Sequence, residues 1–541
     1  MVDSEIDVLV IGAGAAGLTA ALAAHESGAS VRLIEKQDQL GGTAAISGGV
    51  VWLPDHEQMA AQGKEDSAAE ALAYFLSLDH GEMDHAVLEA FVSEAGQMLS
   101  FLSDIDAIRL TMMPDYPDYY EDRPGAKTGG RSLDNDLFDF NSLGEWKDRI
   151  FEHGPSPRMM LRETPLGGGS GVVEPGELQR RNAADLRGWG QALVGRLLKA
   201  CLERSIEPVL GCGGYRLCVE EGRVTGAIVE RGTERETISA RQGVILATGG
   251  FEWNDALKHA FLRGPLDAPA SPPTNQGDGL KMAMAAGAGL GNMTSAWWVP
   301  TLAIPEAQWQ TGETRNMPVL IERTLPHGML VNRDGKRFCN EAANYSALAG
   351  AFHAFDPATY AYPNLPAYLI FDSQYRERYP LSSFMPGTPL PEWVAQADTL
   401  EELAAQIEVD AENLTATIDR FNEQADQLDD QDFGRGKTDY DRFYGDRSRE
   451  GAGATLGSLS KAPYYAVEIR MGALGTNGGA KTNAQAQIVD VDGQPIAGLF
   501  GAGNVISAPT GSVYAGAGGT LGPALTFGYI AGRAAAKRIN Q

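Results

Sequence analysis

IDVLVIGAGAAGLTAALAAHESGASVRLIE, residues 6–35, decides the fold. The opening IDVLVI is apolar without alternation, the pattern of a strand buried on both faces of a parallel sheet. Gly12, Gly14 and Gly17 follow at G-x-G-x-x-G spacing, then an alanine-rich helix, then SVRLIE as a second strand. Gly12 allows a tight turn, Gly14 lets backbone approach a pyrophosphate, and Gly17 lets the helix pack closely. Glu35 stands 18 residues after Gly17, at the second strand's end, where a carboxylate meets ribose hydroxyls. The stretch predicts a βαβ unit holding a dinucleotide, with Ala15, Ala16 and Lys36 beside these groups in the contact set.

A chain of 541 residues is too long for one core and suggests two or three domains. Its formal charge of −27 argues against nucleic acid or an anionic membrane surface as partner, since both repel it at long range. The four cysteines, Cys201, Cys212, Cys218 and Cys339, form no C-x-x-C, and the eight histidines show no metal-ligand spacing. No metal is expected. MVDSE lacks a basic segment and leads straight into the first strand, so the expected location is the cytoplasm. Residues 493–531 hold no charged residue, yet Pro495, Pro509, Pro523 and many glycines break the run, so no transmembrane segment is expected.

Apolar periodicity predicts two helices between residues 65 and 104 and another over 189–203. YRLCVEEGRVTGAIVE and TISARQGVILATGG read as short strands, the last ending at Ala247, Thr248 and Gly249 in a second close backbone approach. From about 271 to 450 the composition shifts toward Pro, Trp and Tyr, with a hairpin signal in GMLVNRDGKRF and a helix capped by Thr399 with Glu402 three residues on. IVDVDGQPIAGLFGAG, carrying Gly503 and reaching Asn504, predicts a further hairpin. The expected architecture is α/β: a Rossmann-like binding domain from 1–270 and 451–541, with an α+β catalytic domain inserted at 271–450.

IGAGAAGLTAALAAHESGASVRLIEKQDQLGGTAAISGG, ATGGFEWN, NRDGKRFCNEAANY and YAGAGGTLGPALTFGYIAG together resemble the flavoprotein superfamily of fumarate reductases and 3-ketosteroid dehydrogenases. The resemblance implies FAD. It sets Glu35 on the adenosine ribose, Gly42 and Thr43 with Ser47, Gly48 and Gly49 along the pyrophosphate and isoalloxazine, and Gly503, Asn504, Gly519, Thr520 and Leu521 among the flavin contacts. No histidine stands between Lys36 and Trp52, so the FAD is expected to be noncovalent. A helix starting near Thr520 would aim its positive end at the flavin edge that becomes negative on reduction.

The two halves of that superfamily need opposite chemistry. A dicarboxylate reductase needs cations in the tail, and Tyr514 to Gly518 offers none. A neutral ketone is served better: loss of the α-proton needs a stabilised enolate oxygen, and a tyrosine hydroxyl with a backbone N–H supplies that without a full charge. PDYY at 117–120, RFCNEAANY at 337–345 and SVYAGAG at 512–518 are similar to the three tyrosine motifs of 3-ketosteroid Δ1-dehydrogenases, as are AWWVP and DFGRG. The resemblance implies Tyr345 as base for the C2 proton, Tyr119 as its hydrogen-bonding partner, and Tyr514 with the Gly518 N–H on the C3 carbonyl oxygen. Tyr116 and Tyr120 flank Tyr119 as alternatives, and Trp297, Trp298, Met112 and Met113 are candidates to line the pocket.

The implied reaction is FAD-dependent dehydrogenation of a cyclic ketone, a 3-ketosteroid at Δ1, with an electron acceptor the sequence does not name. Rivals are a desaturase of a smaller cyclohexanone-type ring and a flavin ene-reductase, for which no fused haem or iron-sulfur motif supplies electrons. Two departures stand out: Ala515 replaces a common proline, which is expected to loosen that loop, and residues 146–182 are long enough for a lid or contact surface.

Overall fold

The computed structural model describes residues 6–537, so the MVDSE segment read above lies outside the described residues. Four parallel strands form the heart of the first sheet. In spatial order they are Val31–Ile34, Ile6–Ile11, the second half of Glu234–Leu246, and Pro495–Gly501. The first half of Glu234–Leu246 turns away to join Arg223–Arg231 and Gly213–Glu220 in an antiparallel meander. Gln487–Val489 pairs antiparallel with Pro495–Gly501, the expected hairpin.

The helix Ala15–Glu26 packs on the C-terminal helix Leu521–Ala536. Its alanines and two tail glycines set the closeness: a Cβ at Gly532 would lie 2.4 Å from the Ala20 carbonyl oxygen, and one at Gly528 2.6 Å from that of Ala16. The uncharged tail is thus a core helix. Because the four strands are parallel, their carboxyl ends share one edge, and the turns at 12–14, 35–36, 247–249 and 502–504 gather there.

The helices expected over 65–104 are Ala68–Leu76 and His85–Asp104, and the one over 189–203 is Trp189–Glu203. They pack with the first sheet in one large core.

A second sheet is wholly antiparallel: Thr314–Pro318, Ala296–Gln308, Tyr464–Thr476, Ala367–Asp372 and Gly328–Asn332, with Ala395–Ala397 also on Tyr464–Thr476. Leu403, Leu414, Ile418 and Phe421, from the helices Leu400–Gln406 and Ala411–Gln427, cover Met329, Val331 and Ile370 on one face. Thr399 caps the first of these, its Oγ1 accepting from the Glu402 N–H at 3.2 Å.

Two details differ from the sequence reading. The boundary at 450 sets Tyr464–Thr476 with the first unit, but its strand partners belong to the second sheet. In GMLVNRDGKRF the turn closes, with Asn332 N–H on the Lys336 carbonyl at 2.9 Å, but no return strand forms beyond the Val331–Arg337 bridge. Arg337 instead turns inward to pair with Glu341 and Asp430, and Gly328–Asn332 takes Ala367–Asp372 as its partner.

Candidate active site

Tyr119, Tyr345 and Tyr514 come from three loops and meet in one buried aromatic cluster. Tyr119 lies between the strands Leu110–Met112 and Ser132–Asn135, Tyr345 follows Gly328–Asn332, and Tyr514 precedes Leu521–Ala536. The Tyr119 hydroxyl donates to that of Tyr345 at 3.2 Å. The Tyr514 ring stacks on Tyr119 with centroids 5.7 Å apart and meets Tyr345 edge-on at 5.2 Å.

Backbone bonds stitch these loops together. The Tyr119 N–H and the Tyr74 hydroxyl both donate to the Ala515 carbonyl, at 2.9 and 2.8 Å, and Asn344 Nδ2 donates to the Tyr514 carbonyl at 3.2 Å. Those two bonds hold the loop at Ala515. The Tyr116 hydroxyl bonds to Tyr444 and the Tyr120 N–H to Tyr74, and the phenol that bonds Tyr345 is that of Tyr119.

Trp52, fully buried, is the anvil of the tail loop. A Cβ at Gly516, Gly518 or Gly522 would lie 2.5, 2.5 or 2.1 Å from its atoms, and Gly518 has φ +93 besides. Its Nε1 donates to Asp118 at 2.8 Å, and Asp118 is bound in turn by Arg131 at 2.8 Å. Gly518 offers its carbonyl to Trp52 N–H at 3.2 Å; among the described residues its own N–H has no acceptor.

Burial drives the Tyr345 and Tyr119 phenols well above the ordinary tyrosine range; for Tyr345 the hydrogen bond from Tyr119 opposes this. Tyr514 is raised by burial as well, against contacts with the Tyr345 and Thr520 hydroxyls.

These three tyrosines and Gly518 line a cavity of about 800 Å³ that runs to the carboxyl edge of the first sheet. Gly12, Gly14, Ala15, Ala16, Glu35, Lys36, Gly42, Thr43, Ser47, Gly48, Gly49, Ala247, Thr248, Gly249, Gly503, Asn504, Thr520 and Leu521 line it too. Of the sequence-derived contacts, Gly17 and Gly519 do not. A Cβ at Gly17 would lie 1.8 Å from the Gly12 carbonyl, so its service is helix packing, and Gly519 backs onto the Tyr514 ring.

The cradle fits a dinucleotide. Gly12 has φ +104, and a Cβ there would strike the Ala247 carbonyl at 2.4 Å, so the turn is bare backbone facing the cavity. Glu35, its pKa raised by burial, is fixed at this edge by the Ala13 and Gln37 N–H groups, each at 3.0 Å. Thr43 and Asn504 accept from Asn275 Nδ2 at 2.9 Å and Trp297 Nε1 at 3.2 Å.

Four expected lining residues sit elsewhere. Trp297 and Met113 form the layer behind the tyrosines, Trp298 packs in the second sheet's core against His353, and Met112 belongs to the strand Leu110–Met112. The sequence reading also missed residues: Tyr440 packs on Tyr119 with the rings tilted and centroids 4.6 Å apart, Tyr444 bonds Tyr116, and Trp189, Trp309 and Arg315 line the cavity. The segment 146–182 contributes Glu152 to Pro157, Leu161 and Leu166 to the wall.

Known proteins resemble this chain over nearly its whole length. The model of the FAD binding domain family matches residues 7–521. The chain is 41% identical to 4-oxocyclohexanecarboxylate 2-dehydrogenase of Sinomonas cyclohexanicum, over 98% of this chain and 92% of that one. It is 36% identical to 3-oxosteroid 1-dehydrogenase of Mycolicibacterium smegmatis, over 98% and 97%. Among solved structures, 3-ketosteroid delta1-dehydrogenase from Sterolibacterium denitrificans in complex with 1,4-androstadiene-3,17-dione superposes with a TM-score of 0.90 at 34% identity, covering 98% of this chain and 99% of that one.

Proposed function

The chain belongs to the FAD binding domain family, and from that premise we propose that it desaturates a 3-ketosteroid between C1 and C2. It is an FAD-dependent dehydrogenase of cyclic ketones. The chemistry is supported above all by the meeting of Tyr119, Tyr345 and Tyr514 on one cavity wall, and the steroid reading by the likeness to the 3-ketosteroid delta1-dehydrogenase structure.

When bound, FAD would be held noncovalently by the glycine turns and Glu35 and would supply the acceptor for the hydride that leaves C1. The protein's own groups handle the proton and the charge. Tyr345 takes the C2 proton, and Tyr119, donating at 3.2 Å, stabilises the phenolate this requires. The Tyr514 hydroxyl and the Gly518 N–H hold the C3 carbonyl oxygen where negative charge develops. The apolar wall around them excludes water, which strengthens both hydrogen bonds.

The relative that acts on a one-ring ketone favours a second reading, a smaller substrate for the same chemistry. Turnover of androst-4-ene-3,17-dione against 4-oxocyclohexanecarboxylate, with a dye as acceptor, separates the two. Anaerobic mixing of the yellow enzyme with the saturated ketone is expected to bleach the flavin without an added donor. A flavin that stays oxidised with every ketone, yet turns over enones when a reductant is supplied, would make the protein an ene-reductase. The four thiols, all free, support a cytoplasmic location.

A further inference from the structure

Two cations line the cavity. Lys36 is paired with Asp278 at 2.7 Å, whereas Arg315 has no carboxylate within ion-pair distance among the described residues. Arg315 is half-buried on the strand Thr314–Pro318, opposite Ile304, with its guanidinium over the Trp309 indole at 5.4 Å. Trp309 in turn carries the His153 ring at 4.7 Å and Phe151 at 6.2 Å, so the hairpin of the second sheet and the long segment close on each other there.

The acids within reach along the chain are engaged elsewhere. Glu152, on the same wall, is held by Arg187 at 3.1 Å and by Ser156, Glu313 by Thr311, and Glu306 by Trp393 at 3.0 Å. Buried arginines elsewhere in this acidic chain are satisfied, Arg131 by Asp66, Arg181 by Glu163 and Arg337 by Glu341, Arg323 and Arg376 by backbone carbonyls; among the described residues the Arg315 guanidinium has neither. A partly desolvated cation without an anion is costly unless a ligand supplies one. The net charge of −27 repels an anionic ligand at long range, so its capture has to be local.

We propose that Arg315, stacked on Trp309, receives a carboxylate of the substrate, so that the natural substrate is a keto acid: a cyclic ketone carrying its carboxylate away from the carbonyl that Tyr514 holds. A planar guanidinium binds a carboxylate through two parallel N–H groups, and its stacking on an indole pre-orients that fork. The uncharged tail supplies no such group, so the cation comes from the other side of the cavity. This rests on the ketone-dehydrogenase reading above. The acid is either a one-ring keto acid or a 3-ketosteroid with a carboxylated side chain.

The test uses holoenzyme and two matched pairs: 4-oxocyclohexanecarboxylate with its methyl ester, and a 3-ketosteroid carboxylated on its side chain with its methyl ester. The acid is expected to be preferred to the ester in one pair, and that pair names the ring. Arg315→Gln is expected to lower the acid-to-ester ratio of kcat/KM by about 10-fold or more, through KM, the scale of one charged hydrogen bond. Arg315→Lys should restore part of it. An unchanged ratio in Arg315→Gln overturns the proposal, as does loss of the flavin absorbance in that variant, which would put the cation on a cofactor phosphate. Calorimetric binding of the same acids and esters to the holoenzyme keeps the two readings apart. Should neither ring be turned over while Arg315→Gln still loses its preference for binding the acid, the reaction is misassigned and the carboxylate site stands.

Discussion

At the scale of single residues, the proposed chemistry turns on two phenols 3.2 Å apart in a buried cluster. Burial raises Tyr345 well above the usual tyrosine value, about 10, and Tyr119 opposes that by donating its proton. If Tyr345 is the base, only its deprotonated form works, and below its pKa that fraction grows tenfold per pH unit. The rate constant kcat/KM is therefore expected to climb with pH across the whole range from about 6 to 9 without a plateau. A profile that levels near neutrality points to another base. Tyr119→Phe removes the donor, so the climb moves to higher pH and the neutral rate falls about 10-fold or more, the scale of a hydrogen bond to a charged group. Tyr345→Phe is expected to abolish turnover while keeping flavin and ketone binding, measured by flavin absorbance and ligand titration. Tyr514→Phe should cost roughly 10²-fold in kcat, as loss of one oxyanion donor does.

At the scale of elements, the motif pairs read in the sequence prove to be joined by charge. Arg337 and Glu341, from RFCNEAANY, meet Asp430 and the Arg435 of DFGRG in one buried network: Arg337 to Glu341 at 2.7 Å and to Asp430 at 2.8 Å, Arg435 to Glu341 at 3.1 Å. Glu341 Oε1 also accepts the Leu330 N–H at 3.1 Å, which fixes the loop carrying Tyr345 to the second sheet. Burial alone would raise the Glu341 carboxyl, but Arg337 and Arg435 hold it below its ordinary value. Its folded pKa is depressed, so its contribution is present above the usual carboxylate pKa, about 4.3, and is lost as pH falls through that region and below. Glu341→Gln leaves two arginines short of an anion and is expected to cost about 3–5 kcal/mol at pH 7, with a shallower loss of stability on acidification. An unfolding midpoint within error of the wild type would show that the network adds nothing. The strand, turn and helix of residues 6–35 were legible because periodicity and glycine spacing are local. The role of Trp52 was not, because what marks it is three glycines at 516–522, brought against it only by the fold. Tyr440 and Tyr444 were hidden for the same reason: no spacing in Asp439–Phe443 points across the cavity to Tyr116 and Tyr119. Trp309, in the turn, and Arg315, on a strand, belong to a hairpin whose seat on the cavity depends on a sheet that no local pattern places.

At the scale of the whole molecule, the cofactor cradle is shared property. Its glycine turns belong to the first sheet, but Thr43 and Asn504 are held by Asn275 and Trp297, and Tyr514 by Asn344, all from the stretch that carries the second sheet. A ligand filling that cradle therefore tightens contacts on both sides of it. Binding to the native state alone stabilises by RT ln(1 + [L]/Kd), about 2.7 kcal/mol at a free concentration 100 times Kd. Urea unfolding of apoprotein titrated with FAD is expected to show one transition whose midpoint rises with the logarithm of FAD concentration, followed alike by tryptophan fluorescence and by far-ultraviolet dichroism. Trp52 reports from the first core and Trp298 and Trp393 from the second, so fluorescence samples both. Two separated transitions, only one of them moved by FAD, would mean that the sheets unfold independently. The bonds across the cavity would then be passive contacts, and the three tyrosines would owe their meeting to the second sheet's own stability.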